Sequence, residues 1–381
     1  MRKAHIWFLV SLLLLTACTP RIEKEEEVVR ETKESREHAI IPKYNLSGEH
    51  YRTILPFKPG ETRGLIKSTV ANRLDINELE TGLMRLSQEY FNPEDYYFQE
   101  GQYLEEEEVI AWLGRKESGG ENETPEGLNP PLAKGSSLKE VNESSPRYLS
   151  HILEHNFLKK NEEDKVELAG VSVALSLNSV HYYKQENGYD RQFDIPIEQI
   201  EENGKRIATE IVKRMRGMDG LKDVPIMISL FIEKPKESVV PGSYFAKTLV
   251  GQGDRSISKW ETVGEEYVLF PSDYATNAYY DDATKMLNFT NDVERYFPNY
   301  VGVIGTGFYQ DQQLQDLTIT IPIQFYSQAE VIGFTEYLTG LIMEHFPPYI
   351  SVKVYVESIG GQESLIVKEA GKEEPYVHIY Q

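Results

Sequence analysis

Cysteine is almost absent from this sequence: its 381 residues include one, Cys18. With no second thiol, neither a disulfide nor a thiolate metal cluster can staple the fold, and stability has to come from burial. Positive charge is in deficit. Forty Lys and Arg face 61 Asp and Glu, a formal net charge of −21, which excludes nucleic acid as a partner and a basic face for docking on anionic lipid. Long apolar runs are also missing. The stretch from Ile6 to Leu15 carries no charge, but ten helical residues rise only about 15 Å, half of a ~30 Å hydrocarbon core. There is no nucleophile elbow, no P-loop and no paired-glycine turn, so no cofactor is implied. What is present is an ordinary 40% hydrophobic content in a chain long enough for two or more domains.

The lone cysteine stands at an informative place. Arg2 and Lys3 precede the uncharged run, and the small residues Thr16 and Ala17 follow it, the three-part plan of an export signal. Leu15-Thr16-Ala17-Cys18 resembles the lipobox of bacterial lipoproteins, in which the cysteine sulfur takes a diacylglycerol and the chain is cut just before it. That resemblance implies a signal peptide over residues 1–17 and a mature protein anchored through Cys18 on the outer face of the cytoplasmic membrane. A two-chain anchor, at about 0.8 kcal/mol per buried methylene, holds where a single chain is marginal.

Residues 18–43 follow, dominated by RIEKEEEVVRETKESREH. With so little to bury, this composition predicts a solvated tether that gives the protein reach. Residues 44–165 read as an N-terminal helix-rich region. Asp75 and Glu78 form a capping box, and Ile76, Leu79, Leu83, Leu86 and Tyr90 recur at helical spacing until Asn92-Pro93. A shorter helix is expected around Val109 to Leu113, behind the acidic run Glu105 to Glu108. Residues near 115–144 break every period and predict a long mobile loop. Ser145 and Pro146 then read as the cap and first position of a helix carrying PRYLSHILEHNFLKK.

Within that segment His151-Ile152-Leu153-Glu154-His155 matches the H-x-x-E-H pattern of inverted zinc proteases, where two imidazoles one turn apart hold zinc and the Glu activates water. The plainer reading is a solvated helix surface, since no third ligand stands out.

The C-terminal half contains itself twice. Strand, Asn187-Gly188 turn, strand, helix and strand run from Gly170 to Glu233, and a similar series runs from Gly302. Asp194-Ile195-Pro196-Ile197 aligns with Thr320-Ile321-Pro322-Ile323, and at the same offset Val224, Ile226, Ile228 and Leu230 fall on Ile350, Val352, Val354 and Val356. Ser327 and Glu330 make a second capping box. Tyr267 to Phe270 and Tyr376 to Ile379 read as the closing strand of each unit. The fold expected is α+β, with a tandem strand-strand-helix-strand duplication forming mixed or antiparallel sheets, repeat 1 at 166–290 and repeat 2 at 291–381. The junction of the repeats is the expected site.

The lipobox, ILPFKPGETRGLI, NRLDINELETGLMRLSQEYFNPEDYYFQEGQYL, PRYLSHILEHNFLKK and the duplicated half together resemble the CamS sex-pheromone lipoprotein family of Gram-positive bacteria. In that family the processed signal peptide is trimmed in some members to a short apolar mating pheromone, and the exported protein has no established activity. The corresponding peptide here would be Ser11-Leu12-Leu13-Leu14-Leu15-Thr16-Ala17, nearly all leucine where the family's known peptides mix Ile, Phe and Leu.

Two readings of the folded part remain. The expected one is a non-enzymatic binding or interaction module, partnered by the bilayer through its lipid and by an envelope ligand or protein. Tyr182, Tyr183, Tyr279 and Tyr280 offer rings to stack on sugars or peptides, or simply fill sheets as aromatic strand formers. The alternative is a cell-envelope hydrolase, using metal at His151, Glu154 and His155 or carboxylates such as Asp281 and Asp282 as acid and base.

Overall fold

Val171, Val173, Leu175 and Leu177 alternate with Ser172, Ala174 and Ser176, and every one of these side chains is buried. Such a run can only be a strand covered on both faces. The computed structural model, which describes residues 26–31, 36–42, 50–65, 71–117, 123–296, 302–325 and 327–380, builds its first unit around that strand.

Along the chain come β1 (Glu26–Glu31), β2 (Arg36–Ile41), β3 (Arg52–Thr53), α1 (Ile76–Ser87), β4 (Tyr97–Glu100) and α2 (Glu106–Trp112). A small pair, β5 (Arg115–Lys116) and β6 (Glu123–Thr124), and α3 (Leu138–Ser144) lead to β7 (Leu149–Lys160) and β8 (Lys165–Leu177). The hairpin β9 (Val180–Lys184) and β10 (Asp190–Asp194), α4 (Ile197–Met215), β11 (Ile226–Ile232), β12 (Ser243–Val250) and β13 (Glu261–Thr262) complete the unit. The second unit holds β14 (Glu265–Phe270), α5 (Asp273–Ala278), α6 (Tyr280–Tyr296), β15 (Ile304–Gln310) and β16 (Gln313–Pro322). It ends with α7 (Gln328–His345), β17 (Ser351–Ser358), β18 (Gly361–Lys368) and β19 (Tyr376–Ile379).

The first sheet runs β13-β12-β11-β8-β7-β4-β3, with β8 parallel to β11 and antiparallel to β7. Helix α4 covers one face, setting Ile200, Ile207 and Ile211 against Val173, Leu175 and Ile228. Helix α1 covers the other with Leu79, Leu83 and Leu86 over Phe98, Phe157 and Phe231, each leucine contributing about 1.5–3 kcal/mol. Asp75 caps α1 as expected, its carboxylate accepting from the Glu78 N–H at 3.2 Å. The helix lies close to β12 because residue 82 is glycine. A Cβ there would stand 2.6 Å from the Tyr244 ring, whose hydroxyl donates to the Leu79 carbonyl at 2.5 Å.

The second sheet is β14-β15-β16-β17-β18-β19, antiparallel except for the β16–β17 pair. Helices α6 and α7 lie on one face, with Phe289, Phe334, Leu338 and Ile342 against Ile319, Val352 and Val354. Mixed and antiparallel sheets with helices confirm the α+β class. No helix among the described residues is long and apolar enough to cross a membrane.

Several boundaries differ from the sequence reading. Residues 26–31 and 36–41 are not a solvated tether. β1 and β2 pair antiparallel, β1 pairs parallel with β8 through Val29 and Arg30, and Val28, Ala39 and Ile41 form a small core with Ile54 and Val166. Composition hid this because a few apolar residues at alternate positions suffice when an existing strand offers its edge. Within the 115–144 stretch residues 123–144 are pinned as well: buried Asn129 accepts from the Tyr148 and Leu149 N–H groups and donates to the Leu113 and Leu149 carbonyls, and α3 occupies Leu138–Ser144. Residues 149–160, read as a helix, are β7, because both of their faces are buried between α1 and α4 and tertiary packing overrides helical spacing.

The N-terminal part is thus no separate helical region, since β3, β4 and β7 belong to the first sheet. Repeat 1 also ends earlier than 290. Tyr267 to Phe270 lie in β14, which pairs with β15 rather than closing the first sheet. In both sheets an antiparallel pair leads through a helix to a parallel strand and then an antiparallel one, β7-β8-α4-β11-β12 and β15-β16-α7-β17-β18. The helix and following strand match the sequence alignment, but Asp194-Ile195-Pro196-Ile197 does not sit where Thr320-Ile321-Pro322-Ile323 does. β10 pairs only with β9, in a hairpin inserted before α4.

One arginine joins the units. The Arg85 Nε and Nη2 of α1 donate to the two oxygens of Glu265, at the start of β14, at 2.9 Å each, and Nη2 also reaches Glu78 at 2.8 Å. The guanidinium covers the Phe308 ring at 4.5 Å. The Glu265 side chain is fully buried, so Arg85→Ala leaves an uncompensated charge and should cost about 3–5 kcal/mol in urea unfolding. Arg85→Lys, which cannot reproduce the two-pronged geometry, should recover only part of that loss.

Candidate functional site

The strand assignment of β7 decides the fate of the H-x-x-E-H motif. Four residues along a strand span about 13 Å at ~3.3 Å per residue, against one turn of about 5.4 Å on a helix. His155 lies edge-on to Phe98 at 4.9 Å between ring centres, on the α1 side with Leu153 and Phe157. Glu154 alternates to the opposite face with Ile152. The three side chains therefore do not converge on one metal, and no group of three or more His, Cys, Asp or Glu among the described residues is arranged to hold one.

Each motif residue instead has a local structural setting. The Glu154 carboxylate accepts from the N–H groups of Gln102, Tyr103 and Leu104, the last at 2.8 Å, and from Asn156 Nδ2 at 2.6 Å. It fastens the corner between β4 and α2. Burial pushes its pKa up, against the downward pull of those donors. Ser150, next to His151 in the chain, donates its Oγ to Glu233 Oε1, which also accepts from Ser176 Oγ at 2.7 Å, while the other Glu233 oxygen has no partner among the described residues. Burial raises the Glu233 pKa, favouring the protonated carboxyl. Ser150, His151, Ser176 and Glu233 are sealed inside the unit, each at most 5% exposed.

The aromatic and acidic candidates are likewise engaged by their own chain. Tyr183 donates to Glu143 at 3.0 Å, and Tyr182 lies under Lys236 at 4.5 Å. Tyr279 stacks on Tyr309 at 3.9 Å and donates to Glu266 at 2.8 Å. Tyr280 is the open one, 66% exposed. Asp282 binds Lys285 and accepts from the Tyr309 hydroxyl at 3.0 Å, and Asp281 sits beside it in the first turn of α6. Ser11 to Ala17 and Cys18 lie outside the described residues.

Space is distributed unlike the expectation of a cleft between repeats. Arg85, Glu78 and Glu265 fill the junction. A crevice bordered by Arg63, Glu80, Phe98, Glu100 and His155 offers about 50 Å³, enough for water and far below the roughly 300–1,000 Å³ of small-molecule sites. A groove of about 460 Å³ does fall in that range, between Glu27, His38, Ile40, Leu55 and Pro56. It exists because β2 carries Ile40 between Glu27 of β1 and Leu55, both hydrogen-bonded neighbours. Its floor is apolar, with one imidazole and one carboxylate at the rim. Nothing in the sequence marked it, since its three contributing segments meet only in the folded sheet.

Burial has a measurable consequence. It lowers the pKa of His151 to about 4, of His155 to about 3 and of His181 to about 4, the last aided by Arg115 and Arg147, from 6.5. These rings are neutral when folded and take protons near pH 6.5 when unfolded. The unfolded chain therefore binds more protons below pH 6.5, and stability falls as pH falls through that window by up to about 1.4 kcal/mol per pH unit per histidine. Glu78, Glu80, Glu154 and Glu233, their pKa values raised chiefly by burial, act in the opposite sense above pH 4.5. In urea titrations at pH 7 and pH 5, His155→Phe should differ from the wild type by one histidine's share, losing less stability on acidification.

The comparisons with known proteins agree with this architecture. A family model described as CamS sex pheromone cAM373 precursor matches residues 57–374. The crystal structure of a sex pheromone precursor from Lactobacillus salivarius subsp. salivarius UCC118 is similar at 31% identity and TM-score 0.80, covering 90% of this chain and 98% of that one. The C-terminal domain of the sex pheromone staph-cAM373 precursor from Staphylococcus aureus is similar at 27% identity and TM-score 0.68, covering 80% and 96%. Among curated proteins no significant match is found. The match runs from Phe57, ahead of α1, to Glu374, just before β19, and so spans both sheets and the Arg85 junction: the chain belongs to the CamS sex pheromone cAM373 precursor family.

Proposed function

We propose that this protein is a lipoprotein anchored through a diacylated Cys18 on the outer face of the cytoplasmic membrane, and that its folded part binds a cell-envelope ligand or protein rather than catalysing a reaction. The observation that carries the reading is the single cysteine of the chain, placed in Leu15-Thr16-Ala17-Cys18 directly after an uncharged run. A binding role is supported by the dispersal of His151, Glu154 and His155 along β7 and by the internal partners of Glu154, Glu233 and Asp282. Processing before Cys18 would release the signal peptide, and a second cut between Val10 and Ser11 would free Ser11 to Ala17, SLLLLTA, as a pheromone-like peptide.

The start of β1 sets the reach of this anchor. Glu26 is only eight residues beyond Cys18, a span of at most about 28 Å at ~3.5 Å per residue. The groove beside Glu27 and Leu55 is then held near the lipid surface, where a 26-residue tether would have let it range about three times as far.

Three outcomes are expected in a Gram-positive host. Wild-type protein partitions into membranes with a diacylated mass beginning at Cys18, Cys18→Ala appears in the medium, and SLLLLTA is detectable there. An unlipidated, freely secreted wild type would refute the anchor. With Cys18 lipidated, a cysteine introduced at His38 is the sole free thiol, and a dye on it should be quenched by acceptors at the lipid surface far more than one at Tyr280. Equal quenching would refute the short reach.

A further inference from the structure

The two sheets are covered unequally. The first is buried on both faces, by α4 and by α1. The second carries helices on one face only, and its other face is left to solvent among the described residues. Strand pairing places on that open face two rows of side chains, one running from Leu269 across to Tyr376 and one from Ile304 across to His378. Leu269, Ile304, Tyr355, Leu365, Val367 and Tyr376 lie in these rows, and none belongs to the core beneath the helices. Ile304 is 50% and Tyr376 63% exposed.

A solvated sheet face ordinarily alternates to charged and polar residues. Within these two rows the positions between the apolar ones are mostly threonine, at 306, 318 and 320, and Lys353 is the one full charge, with Asp316 and Glu357 in the rows on either side. We propose that this face is the docking surface for an amphipathic helix of a partner protein, one with an apolar stripe and a carboxylate placed against Lys353.

Three features select that occupant. The face is continuous with an interface the fold already makes: the next row, Tyr267 and Phe308, lies under Arg85 of α1. The corresponding face of the first sheet is covered by just such a helix, with leucines at 79, 83 and 86. The size also fits. Six strands about 4.8 Å apart and two rows about 7 Å apart give a footprint of roughly 24 by 14 Å, matching a helix of about 16 residues at ~1.5 Å each. That area is less than half of the ~800 Å² per partner that a stable dimer needs, so a second copy of this chain is the poorer occupant.

The test uses the full chain carrying Cys18→Ala, methyl-labelled for NMR, and a stapled 16-residue helical peptide with leucine at positions i, i+4, i+7 and i+11 and one glutamate. Saturable shifts at the methyls of Ile304, Leu365 and Val367, with Val352 and Val354 unmoved, are expected. Leu365→Asp should abolish them, and Lys353→Glu should weaken binding at least 5-fold. Leu365→Asp should lower Tm only slightly, because the position is partly exposed and no described helix covers it. No shifts up to millimolar peptide, shifts centred elsewhere, self-association through these methyls without peptide, or a large fall in Tm for Leu365→Asp would each overturn the proposal.

Discussion

Arg85 donates to both oxygens of Glu265 and to Glu78 while lying flat on Phe308, and the relation between the two sheets depends on these contacts. A planar fork is the only side chain that can serve two carboxylates and an aromatic face at once. Its position follows from α1, which in turn depends on the Asp75 cap and on the absence of a side chain at Gly82. The same helix that closes one face of the first sheet therefore fixes where the second begins. It also leaves most of the second sheet's far face uncovered.

The interior of the described residues holds several charged and polar side chains. Glu154 and Glu233 are buried with hydrogen-bond donors around them, and Arg216 directs its guanidinium at the carbonyls of Leu221, Val224, Gly251 and Asp254. A buried charge or carboxyl left without partners costs several kcal/mol, so each of these groups restricts the arrangement of the backbone around it. That is a structural use of the residues that a motif search would read as catalytic. The rise of a strand, and not the identity of the residues, separates His151 from His155, and its alternation turns Glu154 away from His155.

Anchor and fold meet more closely than composition suggested. Val28, Ala39 and Ile41 are few, but β8 is long enough to offer β1 an edge at Lys165 and Val166, ahead of Val171 where β11 begins to pair. A charged segment joins the sheet there by backbone bonds and three or four apolar side chains, with Arg30 buried against the Pro56 carbonyl. The groove at Ile40 and Leu55 is a product of that joining.

The sequence by itself determined those features set by neighbouring residues: the α1 and α7 caps at Asp75 and Ser327, the Asn187-Gly188 hairpin, the short α2 behind its acidic run, and the repetition of helix and strand at α4-β11 and α7-β17. It also carried the family, through long segments on both sheets. Tertiary structure alone decided the rest. Whether HILEH coils or extends depends on two helices that pack on it from distant parts of the chain. Whether Tyr267 to Phe270 close one sheet or open the next depends on β15. Arg85 and Glu265 are 180 residues apart, and nothing local in either marks them as a pair. Local signals fix turns and caps because the partners lie within a few residues; burial and pairing involve partners that only the folded chain brings together.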